Sequence, residues 1–204
     1  ARFNMIQQQI RPWEVLDPEV LSLLAIVKRE DFAPAAHKDL AFADVEIPLK
    51  ADAKPCQTML APRIEARMLQ ALGIRNTDKV LEIGAGSGFM AALLAAKAEF
   101  VYTVEIDPEL VELARKNLAQ AGVANVSVDL GDAAQGWPLY KPYDVIVVSG
   151  SLPVLPDALL RQLKIGGRLV AIVGEAPVME MLPVTRTEED AFNTVAVLET
   201  VVAP

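Results

Sequence analysis

From Lys79 onward the chain alternates short apolar runs with stretches of helical period, the pattern that builds a parallel sheet covered on both faces. The candidate strands are Val80 to Ile83, Phe100 to Glu105, Val126 to Leu130, Tyr143 to Ser149 and Arg168 to Val173. Between the second and third, Asp107-Pro108 caps a helix that runs Leu110, Ala114, Leu118 and Ala121 and stops at Gly122. Apart from Asp144, the run Tyr143 to Val148 is apolar, so this strand is expected in the centre of the sheet, buried on both faces, with Asp144 structural. After Gly174 the rhythm changes. Val178 to Arg186 and Phe192 to Val202 are both strand-like and the polar turn Thr187 to Asp190 joins them, which predicts an antiparallel hairpin on one edge.

The first seventy or so residues read as helix, helix, loop, helix. Asp17-Pro18 pairs an N-cap with proline at the first helical position, and Val20, Leu23, Leu24 and Val27 follow on one face, ending near Lys28-Arg29. Residues 33–62 carry scattered prolines and no sustained period, so they are expected to be an irregular segment that roofs the ligand cleft. Pro62 opens a helix whose Ile64, Met68 and Leu72 recur every four residues before Gly73 ends it. The expected organisation is one α/β domain with a doubly wound, mostly parallel sheet. Within it, residues 1–75 form N-terminal helices and a substrate-side loop, 76–175 the ligand-binding core, and 176–204 the edge hairpin.

Composition narrows the chemistry. With 204 residues, 52% hydrophobic and 23% charged, the chain is an ordinary globular protein. No apolar run reaches the roughly 20 residues that span a bilayer, and no signal-peptide order opens the sequence, so a soluble cytoplasmic chain without membrane partners is expected. The net charge of −8 argues against a broad nucleic-acid surface. The one cysteine, Cys56, cannot form an intrachain disulfide or a thiolate metal cage and reads as a semi-buried small residue; the one histidine, His37, reads as a surface residue. No catalytic triad or histidine-rich metal site can be assembled, so no metal is expected and the chemistry must work without a strong dedicated base.

The chemistry-bearing residues follow the strands. Val80 to Ile83 runs into Gly84-Ala85-Gly86-Ser87-Gly88 and then the helix Phe89 to Lys97, a strand–turn–helix whose glycines let backbone approach a ligand closely. A dinucleotide fingerprint wants its third glycine at position 89, where this chain has Phe89. Glu105, 21 residues after Gly84, ends the second strand, where a carboxylate can accept both hydroxyls of a ribose; S-adenosylmethionine (SAM) and NAD each satisfy it. Asp132, in Gly131-Asp132-Ala133, ends the third strand and can accept an adenine amino group or cap a loop.

Over nearly its whole length the sequence resembles the protein-L-isoaspartate (D-aspartate) O-methyltransferases. The pieces that carry the resemblance are Arg29-Glu30-Asp31-Phe32-Ala33-Pro34, Gln57-Thr58-Met59-Leu60-Ala61-Pro62, Val80 to Phe89, Gly131-Asp132-Ala133-Ala134-Gln135-Gly136-Trp137, and Pro142 through Gly174. The resemblance implies a Rossmann-like class I methyltransferase fold with SAM as cofactor, bound by Gly84, Ala85, Gly86, Gly88, Glu105, Ile106, Asp132 and Ala133. It implies methyl transfer to the α-carboxylate of isoaspartyl residues in damaged peptides or proteins, giving an ester that collapses to a succinimide and starts repair. Thr58, Leu60, Ser149 and Ser151 fall on the substrate side, and no catalytic residue is assigned. An acceptor carboxylate is already ionised at neutral pH and needs no base, which suits this inventory.

The acceptor half departs from the family pattern. The family's Thr-Ile-Ser-x-Pro places a serine hydroxyl near the reacting groups, where this chain has Leu60, and its Thr-Ala-Ala becomes Ser149-Gly150-Ser151. Leu60 cannot donate a hydrogen bond to a carboxylate, and the loss of such a partner costs about 1–3 kcal/mol. The alternative is therefore a SAM-binding paralogue with a different acceptor, or one without repair activity.

Overall fold

The computed structural model describes residues 1–204. A short helix, α1 (Arg2–Asn4), continues as π-helical turns over Met5–Ile10 and a 3-10 turn at Arg11–Trp13. In α2 (Pro18–Ile26) the Asp17 carboxylate accepts the backbone N–H groups of Glu19 and Val20, the capping expected of an Asp-Pro start. The helix ends at Ile26, short of the expected Lys28-Arg29, because Val27 turns extended. That exit delivers Arg29 to the interior, where its guanidinium pairs with Glu65 and donates to the Leu60 carbonyl at 2.7 Å. Arg29 thus joins a buried ion pair and does not continue the helix.

The proline-bearing segment is ordered by a two-stranded ribbon. After 3-10 turns over Ala35–Phe42, β1 (Ile47–Pro48) pairs antiparallel with β2 (Thr58–Met59), Ile47 facing Met59. Its inward side chains, Ile47, Leu49 and Met59, are buried, which replaces periodicity as the force holding the segment down. Helix α3 (Pro62–Leu72) buries the predicted Ile64, Met68 and Leu72, and Gly73 ends it in the left-handed conformation at φ 52°.

The main sheet contains β3 (Lys79–Ile83), β4 (Phe100–Glu105), β5 (Val126–Leu130), β6 (Tyr143–Leu152), β7 (Leu163–Glu175), β8 (Val178–Glu188), β9 (Ala191–Thr194) and β10 (Leu198–Glu199). Its order is β10-β8-β7-β6-β3-β4-β5, with β9 also paired to β8. The five strands β5, β4, β3, β6 and β7 are parallel, whereas β8 runs antiparallel to β7, β9 and β10. The second arm of the expected edge hairpin is thus split into β9 and β10.

Helices α4 (Phe89–Ala95), α5 (Pro108–Gln120) and the short α6 (Asp157–Leu160) complete the α/β frame. The two-residue period of β6 divides the interior. Val145 and Val147 enter a cluster of 43 buried residues shared with α3, α4 and α5, while Ile146 and Val148 enter one of 12 on the opposite face. The sheet is covered on both sides, unequally, with the larger core under the N-terminal helices. Asp144 accepts Lys79 N at 2.9 Å and Lys164 Nζ at 2.8 Å, the structural role expected for it.

Candidate active site

The chain winds outward from β3 in both directions, to β4 and β5 on one side and to β6 and β7 on the other. A parallel sheet wound this way opens a crevice beyond the carboxyl ends of its strands at the reversal. A cleft of about 730 Å³ lies at those ends, within the size range of small-molecule sites.

The glycine turn forms one wall. Gly84 has φ 92°, and a Cβ there would lie 3.2 Å from the Ser149 carbonyl oxygen; Gly86 has φ 52°, and a Cβ would lie 3.3 Å from Leu49 of the overlying segment. Backbone is therefore exposed to the cleft where side chains would fill it. Gly88 does something else: a Cβ there would press on Leu118 at 3.1 Å, and the residue is absent from the cleft lining. It seats the start of α4 against α5.

Glu105 is buried at the end of β4, where its Oε2 accepts Gly86 N at 2.9 Å and its Oε1 accepts Asp107 N at 3.0 Å. Both oxygens keep a lone pair for the cleft. Ile106, 67% exposed, and buried Ala133 supply apolar walls. Asp132 is exposed at the rim of the cleft and its Oδ1 accepts Ala134 N at 2.9 Å, the loop-capping geometry. The Gly-Asp-x-x-x-Gly-Trp piece has a packing cause, since a Cβ on Gly131 would collide with the Trp137 ring at 2.5 Å.

Six carboxyl-bearing residues line the cleft, Glu65, Glu82, Glu105, Asp107, Glu109 and Asp132, against Lys50 and Lys54. Lys50 is already paired with Asp107 at 3.1 Å and Glu109 at 2.6 Å. Burial keeps Glu82 protonated at neutral pH and Arg29 offsets Glu65, so the lining is mildly acidic, which favours a cation over a pyrophosphate. Burial pushes the Glu82 carboxyl up to about 8 against hydrogen bonds from Thr103 and Ser149. Burial likewise pushes Glu65 up, to about 7, while the adjoining Arg29 pulls it back.

The other wall is built from irregular chain. Leu49, Lys50, Gln57, Thr58 and Leu60 all reach the lining, as expected of a roofing segment. Gln57 Nε2 donates to Asp107 Oδ2 at 2.5 Å, so the roof is pinned to the start of α5 by Lys50 and Gln57 together. Thr58 Oγ1 donates to Glu46 at 3.4 Å. Leu60 is buried in the core, 6% exposed, with its carbonyl held by Arg29. Ser149 Oγ donates to Glu82 Oε1 at 2.9 Å, and Ser151 Oγ donates to the Val202 carbonyl at 2.8 Å. The C-terminal segment thus lies against the end of β6.

Cys56 is exposed at the cleft, not semi-buried, because the turn before β2 holds it outward. His37 is half-buried and away from the cleft. Sequence reasoning missed Glu82 and the Lys50–Gln57–Asp107 contacts. Glu82 had left a signal, a lone acid in the otherwise apolar run Val80-Leu81-Glu82-Ile83; the contacts, 50 and 57 residues apart in sequence, had left none.

A sequence model of the family described as Protein-L-isoaspartate(D-aspartate) O-methyltransferase (PCMT) matches residues 2–203. The chain belongs to that family. A protein-L-isoaspartate O-methyltransferase of Rhodopseudomonas palustris is 43% identical over 190 residues, covering 93% of this chain and 85% of the relative. Among solved structures, a protein-L-isoaspartate O-methyltransferase superposes with a TM-score of 0.82 at 24% identity, over 100% of this chain and 65% of that one. A Plasmodium falciparum structure named for the same family, in complex with S-adenosyl-L-homocysteine, superposes with a TM-score of 0.79 at 15% identity, over 99% and 96%. These two likenesses concern the fold. Family membership makes the chain a SAM-dependent methyltransferase of the isoaspartyl type and removes the nicotinamide reading.

Proposed function

We propose that this cleft holds SAM along the glycine turn and methylates the α-carboxylate of isoaspartyl residues in damaged peptides or proteins. The observation that carries the reading is the pairing of a bare glycine turn with an acidic lining. A cationic sulfonium is drawn into such a site, whereas a dinucleotide would meet carboxylates where its phosphates belong. Glu105 takes the ribose hydroxyls on its remaining lone pairs, Asp132 accepts the adenine amino group, and Ile106 and Ala133 flank the ring. Gly84, Ala85 and Gly86 present backbone; Gly88 supports them from behind. SAM supplies an electrophilic methyl group.

Thr58 and Ser149 face the acceptor, and the buried residues around them exclude water from the approach. No residue has to remove a proton, because the acceptor carboxylate is ionised at neutral pH. This agrees with a cleft that lacks histidine. The single domain works as one unit, with residues 1–75 shaping the acceptor side, 76–175 the cofactor side and 176–204 the edge strands and a segment against β6. The net charge of −8, one cysteine, and the lack of any helix long and apolar enough to cross a membrane support a cytoplasmic enzyme acting on peptides, not on nucleic acid.

The test is calorimetric titration with SAM, then incubation with labelled SAM and an isoaspartyl peptide. A base-labile methyl ester on the peptide is the expected product. Measured SAM binding without any ester would overturn the acceptor assignment and favour a different methyl acceptor.

A further inference from the structure

If the acceptor is an isoaspartyl carboxylate, as the reading above holds, Leu60 leaves it one hydrogen-bond donor short. Ser149 is the hydroxyl in the right place, half-buried at the end of β6 and part of the cleft wall. Its oxygen, however, lies 2.9 Å from Glu82 Oε1, inside the protein. The other Glu82 oxygen accepts Thr103 Oγ1 at 2.6 Å. An ionised carboxylate only accepts, so both hydroxyls must turn toward it.

A protonated Glu82 changes that count, because it donates one bond and accepts the other. Thr103 and Glu82 are both 0% exposed, and Glu82 is the acceptor Thr103 has within reach, so Thr103 keeps donating. The bond that can reverse is the one to Ser149, the member of the trio that faces the cleft. Ser151 and Thr58 do not substitute, since their hydroxyls donate to the Val202 carbonyl and to Glu46.

We infer that Glu82 is a positioning residue whose protonated form donates to Ser149 Oγ and turns the Ser149 hydroxyl outward, onto the acceptor carboxylate, supplying the hydrogen bond that Leu60 cannot. The surroundings favour that form at neutral pH. Glu105 from β4 and Glu65 from α3 both press on Glu82 with like charge, Arg29 offsets Glu65, and burial pushes Glu82 up to about 8. A bound sulfonium pulls this value down, so the outward hydroxyl is expected to be lost as pH rises through a midpoint no higher than about 8.

The experiment is kcat/KM for an isoaspartyl peptide at saturating SAM, from about pH 6 to about pH 9.5, with S-adenosylhomocysteine affinity measured on each variant. The wild type should lose kcat/KM on the alkaline side. Glu82→Gln offers one permanent acceptor to Thr103 and one permanent donor to Ser149, so the alkaline limb should vanish. Ser149→Ala should lower neutral-pH kcat/KM about tenfold, mainly through KM, without changing cofactor affinity. Adding Leu60→Ser to Ser149→Ala should recover part of that loss. An alkaline limb that persists in Glu82→Gln, or a neutral-pH kcat/KM untouched in Ser149→Ala, overturns the inference while leaving the methylation reading intact. Should Glu82→Gln not fold, Ser149→Ala alone decides. A wild type that binds cofactor and forms no ester overturns the reading on which the inference rests.

Discussion

The two walls of the cleft are made differently. On the proposed reading, the cofactor wall is backbone and strand ends: the turn Gly84 to Gly86, fixed to Glu105, at the carboxyl ends of β3 and β4. The acceptor wall of that reading is assembled from the two-residue ribbon β1–β2, the end of β6 and the C-terminal segment, the last two joined by the Ser151 hydroxyl. Main-chain geometry at a strand end is set by the whole sheet and tolerates little. A wall of loops and side chains can be refitted one residue at a time, which is how a leucine can occupy position 60 without disturbing the glycine turn.

That contrast predicts where substitutions act. Gly84→Val should be the most damaging for the cofactor, because it forces a β-branched residue to φ 92° and against the Ser149 carbonyl; titration should show S-adenosylhomocysteine affinity reduced at least about 100-fold. Glu105→Ala should cost about 10- to 100-fold in the same titration, since Gly86 N and Asp107 N lose their buried acceptor as well as the ligand. Cofactor affinity that survives either change would erase the distinction between the walls. Leu60→Ser should behave oppositely. It should lower unfolding free energy by about 2–4 kcal/mol by emptying a core site, yet raise kcat/KM on an isoaspartyl peptide up to about tenfold.

Glu82 sits between the walls and gives a pH signature. Its folded-state value of about 8 lies above the ordinary 4.5, so the folded protein holds a proton through that window that the unfolded chain has released, and stability falls as pH rises across it. Glu82→Gln lacks this loss. It should be more stable than wild type at about pH 9 by on the order of 4 kcal/mol and nearly equal at about pH 5, read by denaturant melts. The smallest effect belongs to the roof. Lys50→Ala should speed S-adenosylhomocysteine release only about two- to threefold, and stopped-flow traces should show the difference vanishing in high salt.

What could be read beforehand follows the same division. Val80 to Ile83 and Phe100 to Glu105 form strands because apolar period and flanking glycine or Asp-Pro signals agree, so this part of the sheet was legible almost residue by residue. Gly88 was placed on the ligand because spacing cannot show which side of a turn faces α5. The ribbon Ile47-Pro48 with Thr58-Met59 has no period to detect, being too short for one. Val27 and Arg29 leave the helical pattern, and Arg29 joins an ion pair to Glu65, distant in sequence. Ser149 and Ser151 were visible as hydroxyls, but their partners, Glu82 and the Val202 carbonyl, come from other strands and segments.

Asp107 joins three jobs in one side chain and its own amide. Oδ1 caps α5, Oδ2 receives Lys50 and Gln57 from the roof, and the N–H holds Glu105. Every one of these bonds is protein to protein, so the fastening is blind to whether the molecule beneath still carries its methyl group. With the cofactor placed as proposed, spent donor escapes past the same bar as fresh donor enters, and turnover should follow the ratio of the two in its surroundings more closely than the amount of either.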